Sequence, residues 1–292
     1  MIPKIIHLCW LSGDPYPVEI QKCLDTWKKY LPDYEVWVWD TKRFNINSTI
    51  WTKQAFEAKK YAFAADYIRL FALYNYGGIY LDSDVLVYKS FDPLLNLPYF
   101  IGHDQIRAFE AAVIGSEPGC KWVKDMLDSY TGRTFIQEDG SFDMLPLPCR
   151  FHHVLTGIGY KFWRVSELSS LNPMEYDLKM KQMFVFDKNY FNSRNSIEVH
   201  QTAKSFCAHN YAGSWQKKSQ AKSIKNILPK WLVQLVYVVG QKTWGRKKYS
   251  WFQIPFESSS LNTNFNYIES ERYISFFYAL LDHIFPYLYC LQ

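Results

Sequence analysis

The sequence predicts an α/β fold with a mostly parallel central sheet flanked by helices. Strand-like and helix-like patterns alternate through the first third of the chain, and such alternation is typical of parallel sheets covered by helices. The chain has 292 residues, enough to bury a full core. It is 48% apolar and 18% aromatic, which excludes a disordered protein.

The N-terminal elements follow in order. "PKIIHLCW" (residues 3–10) predicts a strand, residues 18–30 predict a helix, and "YEVWVWD" (34–40) predicts a second strand. Residues 52–76 then show one continuous helical pattern with a buried apolar stripe.

A pair of glycines joins that helix to a short apolar strand at residues 79–81. We expect Gly77 to be a left-handed C-cap and Gly78 to allow the turn into the strand. Asp82 and Asp84 end the strand. Side chains two apart in an extended segment point the same way, so the two carboxylates should meet. Like charges so placed indicate a bound cation, and hard oxygen ligands favour Mg²⁺ or Mn²⁺.

The acidic pair also has a simpler interpretation, in which it caps the strand or begins a turn. The position favours a ligand-binding site, because ligands of open α/β sheets lie beyond the carboxyl ends of strands.

Further strands and helices are predicted downstream, although residues 131–180 give no clear pattern apart from a helix after Pro148. The predicted elements are strands in "VLVYKSFDPLL", "YFIGHD", "FEAAVIGS", "QMFVFD" and "KSFCAHN", and a helix at 119–130.

The C-terminal part of the chain differs in character, which predicts two domains, at residues 1–216 and 217–292. Residues 217–250 contain nine Lys or Arg and no acidic residue, leaving 24 basic against 28 acidic residues elsewhere. Interleaved apolar and aromatic residues suit an anionic membrane surface, and a solvated basic face is the alternative. No DNA- or RNA-binding motif accompanies the charge, so nucleic acid is not an expected partner.

Six widely spaced cysteines without a CxxC pair argue against a zinc ribbon or a disulfide scaffold and indicate a reducing compartment. The first residues lack the pattern of a secretory signal, and no stretch reaches the roughly 18 apolar residues of a membrane span. We therefore expect a cytoplasmic protein, peripheral on the inner face of the plasma membrane if the basic segment binds lipid.

Four stretches, in order, carry a resemblance to a known family: "IPKIIHLCW" (2–10), "AADYIRLFALYNYGGIYLDSDV" (64–85), "YFIGHDQIRAFEAAVIGSEPG" (99–119) and "HNYAGSW" (209–215). The sequence resembles family 32 glycosyltransferases, which include yeast-type initiating α-mannosyltransferases, α1,4-galactosyl and α1,4-N-acetylglucosaminyl transferases, and bacterial capsule and lipopolysaccharide enzymes. The resemblance implies a GT-A fold over about residues 1–216, followed here by a helical extension.

The resemblance also implies a retaining, metal-dependent hexosyl transfer from a nucleotide sugar to a glycan or lipid-linked glycan acceptor, in surface polysaccharide synthesis. A UDP-sugar (galactose, glucose or an N-acetylhexosamine) is the favoured donor and GDP-mannose the alternative. Mn²⁺ or Mg²⁺ would stabilise the diphosphate leaving group.

Site roles follow from the same resemblance. Asp84 would bind the metal, Asp82 would share it or hold the donor ribose, and His209 would be a third metal ligand, unless it is a core histidine and Asn210 takes that role. Ser214 and Trp215 would close over the diphosphate. His209, Asn210, Ser214 and Trp215 are assigned by the resemblance alone.

Three further positions have two interpretations each. Trp10 would stack on the donor base or belong to the core. Asp66 and Arg69 lie on one helix face and would bind donor sugar hydroxyls, form a structural ion pair, or both. His152 and His153 suggest a metal pair, but neighbours on a helix diverge by about 100°, so they are predicted to be acceptor-side or surface residues instead.

The sequence departs from the family at "PLPCRFHHVLTGIG", where many relatives show Gly-Pro, and from residue 217 onward. Two rival functions remain. A haloacid dehalogenase-type phosphotransferase would use Asp82 as nucleophile but lacks the later Lys and acidic pair. A catalytically silent sugar-binding protein would keep the fold without the chemistry.

Overall fold

A seven-stranded sheet lies at the centre of the structure, a computed structural model that describes residues 1–104, 108–171, 176, 181–191, 201–210 and 254–257. Within these residues the strands are β1 (Ile5–Cys9), β2 (Glu35–Trp39), β3 (Gly78–Leu81), β4 (Val85–Val87), β5 (Tyr99–His103), β6 (Phe109–Ser116), β7 (Lys161–Val165), β8 (Gln182–Phe186) and β9 (Cys207–His209). The helices are α1 (Val18–Tyr30), α2 (Ile50–Glu57), α3 (Tyr61–Tyr76), α4 (Lys121–Asp128), α5 (Leu147–Ile158) and α6 (Lys188–Phe191).

The sheet has the order β2-β1-β3-β6-β5-β8-β7. Strand β6 is antiparallel to both its neighbours, and the other pairs are parallel. The expected α/β architecture, with a mostly parallel sheet flanked by helices, is therefore confirmed. A separate antiparallel pair, β4 and β9, lies beyond the end of β3. It joins residues about 120 positions apart in sequence, and it builds the site described below.

The predicted helix at 52–76 is wrong in one respect, because the chain breaks it into α2 and α3. Lys59 has a φ of +55°. The N–H of Lys59 donates to the carbonyl of Phe56 and that of Lys60 donates to the carbonyl of Ala55, each at 2.8 Å. This is a Schellman motif. The residue with positive φ in this motif is usually a glycine. Because Lys59 occupies that position here, the sequence does not indicate that the helix ends.

The two glycines at the start of β3 both have a positive φ, +63° at Gly77 and +102° at Gly78. The ψ of Gly77 is −166°, so this residue ends the helix outside the left-handed helical region predicted for it. A Cβ atom at Gly78 would lie 2.6 Å from the carbonyl oxygen of Ile5, so β3 approaches β1 at a distance that only glycine permits. The buried His7 holds this approach, because its Nε2 lies 2.6 Å from the carbonyl oxygen of Gly77 and its Nδ1 accepts from Trp39 Nε1. Burial lowers the pKa of His7 to about 4, which keeps the ring neutral.

Strand β7 was not predicted, because it lies in the region of unclear pattern. Residues 254–257 pack beside it: Ile254 is buried, and the N–H of Glu257 donates to the carbonyl of Phe162 at 2.8 Å. The predicted domain boundary at residue 216, the basic segment 217–250 and the helical extension otherwise lie outside the described residues. Among the described helices none is both long and apolar enough to cross a bilayer.

Candidate active site

Asp82 and Asp84 lie on a tight turn at the carboxyl end of β3. The N–H of Val85 donates to the carbonyl of Asp82 at 3.0 Å and closes the turn, and the N–H of Asp82 donates to the carbonyl of Ala112 at 2.9 Å. The two carboxylates meet as predicted, but the reason given from the sequence is wrong. They converge because the chain reverses between them, and not because an extended strand points them to one face.

His209 reaches the acidic pair through the second sheet. In the β4–β9 register Val85 is opposite His209, and the N–H of Asn210 donates to the carbonyl of Asp84 at 2.9 Å. Nε2 of His209 lies 3.4 Å from Oδ1 of Asp84. Helix α1 supports this corner, since Trp27 Nε1 donates to the carbonyl of Val85 at 2.8 Å.

The residues fit a divalent cation. Asp82, Asp84 and His209 each offer a ligand atom, and these atoms lie within 4.8 Å of one another. Two carboxylates favour Mg²⁺ or Mn²⁺, and a neutral imidazole nitrogen is a suitable additional ligand. The structure thus brings together the three predicted metal ligands, although His209 lies far from the two aspartates in the sequence.

Glu110 is a site residue that the sequence analysis missed. It lies on β6, where residues 109–112 continue past the end of β3 and run beneath the acidic turn. Glu110 is 4% exposed, and its Oε1 lies 3.2 Å from Nδ1 of His209. The only available signal was a single charged residue inside the otherwise apolar stretch "FEAAVIGS".

The charges around His209 determine its protonation. Burial alone would lower the pKa of His209, but the carboxylates of Glu110 and Asp84 raise it well above its usual value. The imidazole therefore carries a proton when only these side chains surround it. The site has a strong preference for positive charge at this position.

The predicted Asp66–Arg69 pair is present, and it extends to the acidic turn. Nη2 of Arg69 donates to Oδ1 of Asp66 at 2.9 Å and lies 3.4 Å from Oδ1 of Asp82, and its Nη1 donates to the carbonyl of Ala111 at 2.7 Å. Tyr80, also missed from the sequence, donates its hydroxyl to Oδ1 of Asp82 at 2.7 Å. The Asp66–Arg69 ion pair is therefore present in the fold, and Arg69 also contacts Asp82, one of the predicted metal ligands.

Burial has opposite consequences for the two members of this pair. It raises the pKa of Asp66 to about 7, although Arg69 opposes the shift. Burial alone would lower the pKa of Arg69, but Asp82, Tyr80 and Asp66 together raise it, so the guanidinium stays charged. Asp66 is thus a carboxyl group that is partly protonated near neutral pH.

The remaining predicted residues are less closely tied to this centre. Trp10 follows β1 at the same edge of the sheet, is half-buried, donates its Nε1 to the carbonyl of Asp14 at 2.7 Å and packs against Tyr16. His152 and His153 lie on α5 with ring centroids 5.7 Å apart. Ser214 and Trp215 lie outside the described residues.

Residues 17–101, which include the acidic turn, match the family model described as "Glycosyltransferase sugar-binding region containing DXD motif". These residues are thus similar to the DXD-containing sugar-binding region of glycosyltransferases. The matched residues run from helix α1 to strand β5 and include Asp66 and Arg69 as well as the acidic turn.

Curated proteins similar to this chain include proteins of fungi and of a giant virus. Inositol phosphoceramide mannosyltransferase 3 of Schizosaccharomyces pombe is 35% identical over 125 residues, 40% of this chain and 34% of the relative. Mannosyl phosphorylinositol ceramide synthase SUR1 of Saccharomyces cerevisiae is 35% identical over 125 residues, 40% of this chain and 32% of the relative. The chain thus matches about a third of the length of these fungal relatives. Uncharacterized glycosyltransferase L373 of Acanthamoeba polyphaga mimivirus is 25% identical over 227 residues, 74% of this chain and 84% of the relative.

Solved glycosyltransferase structures are distant likenesses of this chain. The PaToxG glycosyltransferase is 23% identical with a TM-score of 0.43, covering 54% of this chain and 69% of that one. The galactosyltransferase LgtC, solved with donor and acceptor sugar analogues, is 13% identical with a TM-score of 0.35, covering 73% of this chain and 90% of that one. The family match and the curated relatives support the predicted transferase class.

Proposed function

We propose that this protein is a retaining, metal-dependent glycosyltransferase that moves a hexose from a nucleotide sugar to a glycan or lipid-linked glycan. The observation that carries the proposal is the convergence of Asp82, Asp84 and His209 at the carboxyl edge of the sheet. A DXD-containing glycosyltransferase region around the two aspartates supports it. Sheet edges of this kind are where α/β proteins bind nucleotides.

Asp84 and His209 would hold Mn²⁺ or Mg²⁺, and Asp82 would share the ion or bind the donor ribose. A bound divalent ion supplies positive charge to the diphosphate leaving group. Tyr80 and Arg69 keep Asp82 oriented, because both contact its Oδ1. Orientation of this type reduces the reorganisation needed when negative charge develops on the leaving group.

Asp66 and Arg69 would bind hydroxyl groups of the donor hexose. A carboxyl group with a pKa of about 7 both donates and accepts hydrogen bonds near neutral pH, which matches a sugar hydroxyl. Arg69 is fixed by the carbonyl of Ala111 and by Asp66, so its remaining donors have a defined direction. Rigid polar groups of this kind distinguish hexoses that differ in one hydroxyl.

Transfer would proceed by front-face displacement. The bond from the anomeric carbon to the phosphate oxygen breaks, the bond to the acceptor oxygen forms on the same face, and the acceptor hydroxyl proton passes to the departing phosphate oxygen. The diphosphate leaves with that proton, so charge and atoms balance. Retention of configuration follows because both bonds lie on one face of the sugar.

Two donor classes are candidates, and one experiment separates them. A UDP-hexose is the donor expected from the sequence, whereas a mannosyl donor such as GDP-mannose is favoured by the names of the fungal relatives. Purified protein with Mn²⁺ is incubated with a panel of nucleotide sugars, and released nucleoside diphosphate is measured. Turnover of one donor that stops on adding EDTA supports the proposal. No release from any donor, with or without glycan acceptors, supports the silent sugar-binding alternative.

The proposal extends to the donor's other contacts and to location. Trp10 would stack on the base, Asn210 would assist beside Asp84, and Ser214 and Trp215 would close over the diphosphate. The basic segment 217–250 would hold the enzyme on the anionic inner face of the plasma membrane, where a lipid-linked acceptor for surface polysaccharide is available.

Liposome co-sedimentation tests the membrane part. Binding to anionic vesicles should fall when the lysines of residues 217–250 are neutralised, and binding to neutral vesicles should be weak throughout. Unchanged binding of the neutralised variant to anionic vesicles would contradict this part alone.

A further inference from the structure

A line of three side chains runs from the acidic turn into the protein interior. Nε2 of His209 lies 3.4 Å from Oδ1 of Asp84, and Nδ1 of the same ring lies 3.2 Å from Oε1 of Glu110. The two ring nitrogens therefore face different partners. One faces the candidate metal position, and the other faces a buried carboxylate on a different strand.

A histidine that binds a metal must present a lone pair on one nitrogen, which requires its hydrogen to be on the other. The hydrogen-bond acceptor beside that second nitrogen selects the tautomer and fixes the ring plane. Here the group beside Nδ1 is the carboxylate of Glu110, whose Oε1 lies 3.2 Å away, and its negative charge favours a hydrogen on Nδ1 while Nε2 is available to the ion.

Glu110 is well placed to act as a rigid acceptor. It is paired with Gly102 in the β5–β6 register, and its Oε1 also accepts the backbone N–H of Ala112 at 3.1 Å. Ala112 in turn accepts from the N–H of Asp82. The same stretch of β6 thus orients the acidic turn and the histidine together.

We propose that Glu110 is a positioning residue for the metal site, which sets the tautomer and orientation of His209 without touching the ion or the substrate. This inference rests on the metal-dependent function proposed above. A purely structural Glu110 would lower stability when replaced but would leave metal affinity unchanged. The two roles therefore predict different measurements.

The experiment measures Mn²⁺ affinity by calorimetry on the purified full chain in the absence of any sugar nucleotide. Glu110→Leu should weaken Mn²⁺ binding about 10- to 100-fold, the usual range for lost partners of ligating histidines. Glu110→Gln keeps the shape and one acceptor oxygen, so its loss should be about threefold to tenfold. Glu117→Gln is the matched control, since Glu117 follows the same strand but contacts the exposed N-terminal amine, and it should bind Mn²⁺ like the parent.

A double-mutant cycle then tests whether Glu110 acts through His209. In a His209→Ala background, neither Glu110 substitution should weaken Mn²⁺ binding further. Thermal unfolding in EDTA shows whether each variant is folded, and Glu110→Gln serves where Glu110→Leu does not fold. Unchanged affinity in the Glu110 variants, or an equal further loss without His209, would overturn the inference.

The outcomes also separate this inference from the proposed function. A parent protein that binds Mn²⁺ through Asp84 and shows the Glu110 effect, but turns over no donor, would leave the positioning role standing and contradict the transferase. Donor turnover by the parent, together with unchanged Mn²⁺ affinity in the Glu110 variants, would support the transferase and contradict the positioning role of Glu110.

Discussion

The described part of the molecule contains two buried clusters of histidine and carboxylate, and they differ in charge balance. The site cluster surrounds His209 with Asp84 and Glu110 and connects through Asp82 to Arg69. The second cluster is centred on Asp187, which follows β8 and contacts His103 Nε2 at 3.1 Å and both Nε and Nη2 of Arg164. Both lie at ends of neighbouring strands. Asp84, Glu110, His103 and Asp187 are buried, whereas the Arg164 side chain is half exposed.

The difference indicates which cluster is built for a ligand. In the second cluster one carboxylate faces a guanidinium and an imidazole, so its charge is balanced. In the contact chain of described residues at the site, one guanidinium and one imidazole face four carboxylates, namely Asp66, Asp82, Asp84 and Glu110. With His209 protonated, between one and two negative charges remain, because Asp66 is itself partly protonated near neutral pH, and a divalent cation would neutralise them.

Replacing Asp84 should have the largest effect, because it removes a ligand from the unbalanced cluster. Asp84→Ala is expected to abolish Mn²⁺ binding and to reduce donor turnover at least about 1000-fold, while the unfolding temperature in EDTA stays near that of the parent. Calorimetry, diphosphate release and thermal unfolding check the three parts. Turnover within tenfold of the parent would remove the basis for treating this cluster as a metal site.

Asp66 gives the next test, since its burial should cost stability. Its pKa rises to about 7 in the folded state, so the folded protein binds this proton more tightly than the unfolded chain does. Stability therefore falls as pH rises from about 4 to 7, by about 1 kcal/mol per pH unit, and Asp66→Asn should be progressively more stable than the parent across that window.

The same Asp66→Asn variant should lose donor turnover, by about 100-fold, because the amide cannot replace a carboxyl group shared with Arg69. Denaturant unfolding in EDTA at pH 5 and pH 8 measures the stability difference, and diphosphate release measures activity. A variant that is less stable than the parent at both pH values would show that the ion pair outweighs the cost of burial.

Asp187 should behave in the opposite way. Burial alone would raise the pKa of Asp187, but its hydrogen bonds with His103 and Arg164 lower it to about 2. Its stabilisation is present above about pH 4 and is lost as pH falls toward 2. Asp187→Asn should therefore cost about 2 kcal/mol at pH 7, while Mn²⁺ affinity stays within about twofold of the parent.

The pair Asp66→Asn and Asp187→Asn forms a matched comparison, since both change a buried aspartate beside an arginine. Equal signs for the two stability changes at pH 7 would refute the contrast between the clusters. A large loss of Mn²⁺ affinity in Asp187→Asn would show that the second cluster also supports the site.

The sequence was sufficient to predict contacts whose partners lie in the same short stretch of the chain. The meeting of Asp82 with Asp84 and the Asp66–Arg69 pair were predicted, because the partners are two or three residues apart along the chain. Glu110 and the Asp187 cluster were not predicted, because their partners lie between 23 and 99 positions away and only the strand register brings them together.

His209 is the informative intermediate case. It is 125 positions from Asp84, and it was found by resemblance to a family and not by any local pattern. The break between α2 and α3 was missed for a different reason, because a lysine occupies a left-handed position that the hydrogen bonds of the motif stabilise. Local propensity alone does not reveal such a position.

The smallest effect is expected at His152 and His153, which look like a metal pair in the sequence. Their rings are 5.7 Å apart in an edge-to-face arrangement on α5. Burial, and secondarily His153, lowers the pKa of His152. The double variant His152→Ala/His153→Ala should keep a stoichiometry of about one Mn²⁺ per chain and an affinity within about twofold of the parent. If calorimetry instead shows two ions bound to the parent and one to the variant, excess negative charge is not what selects the metal site in this protein.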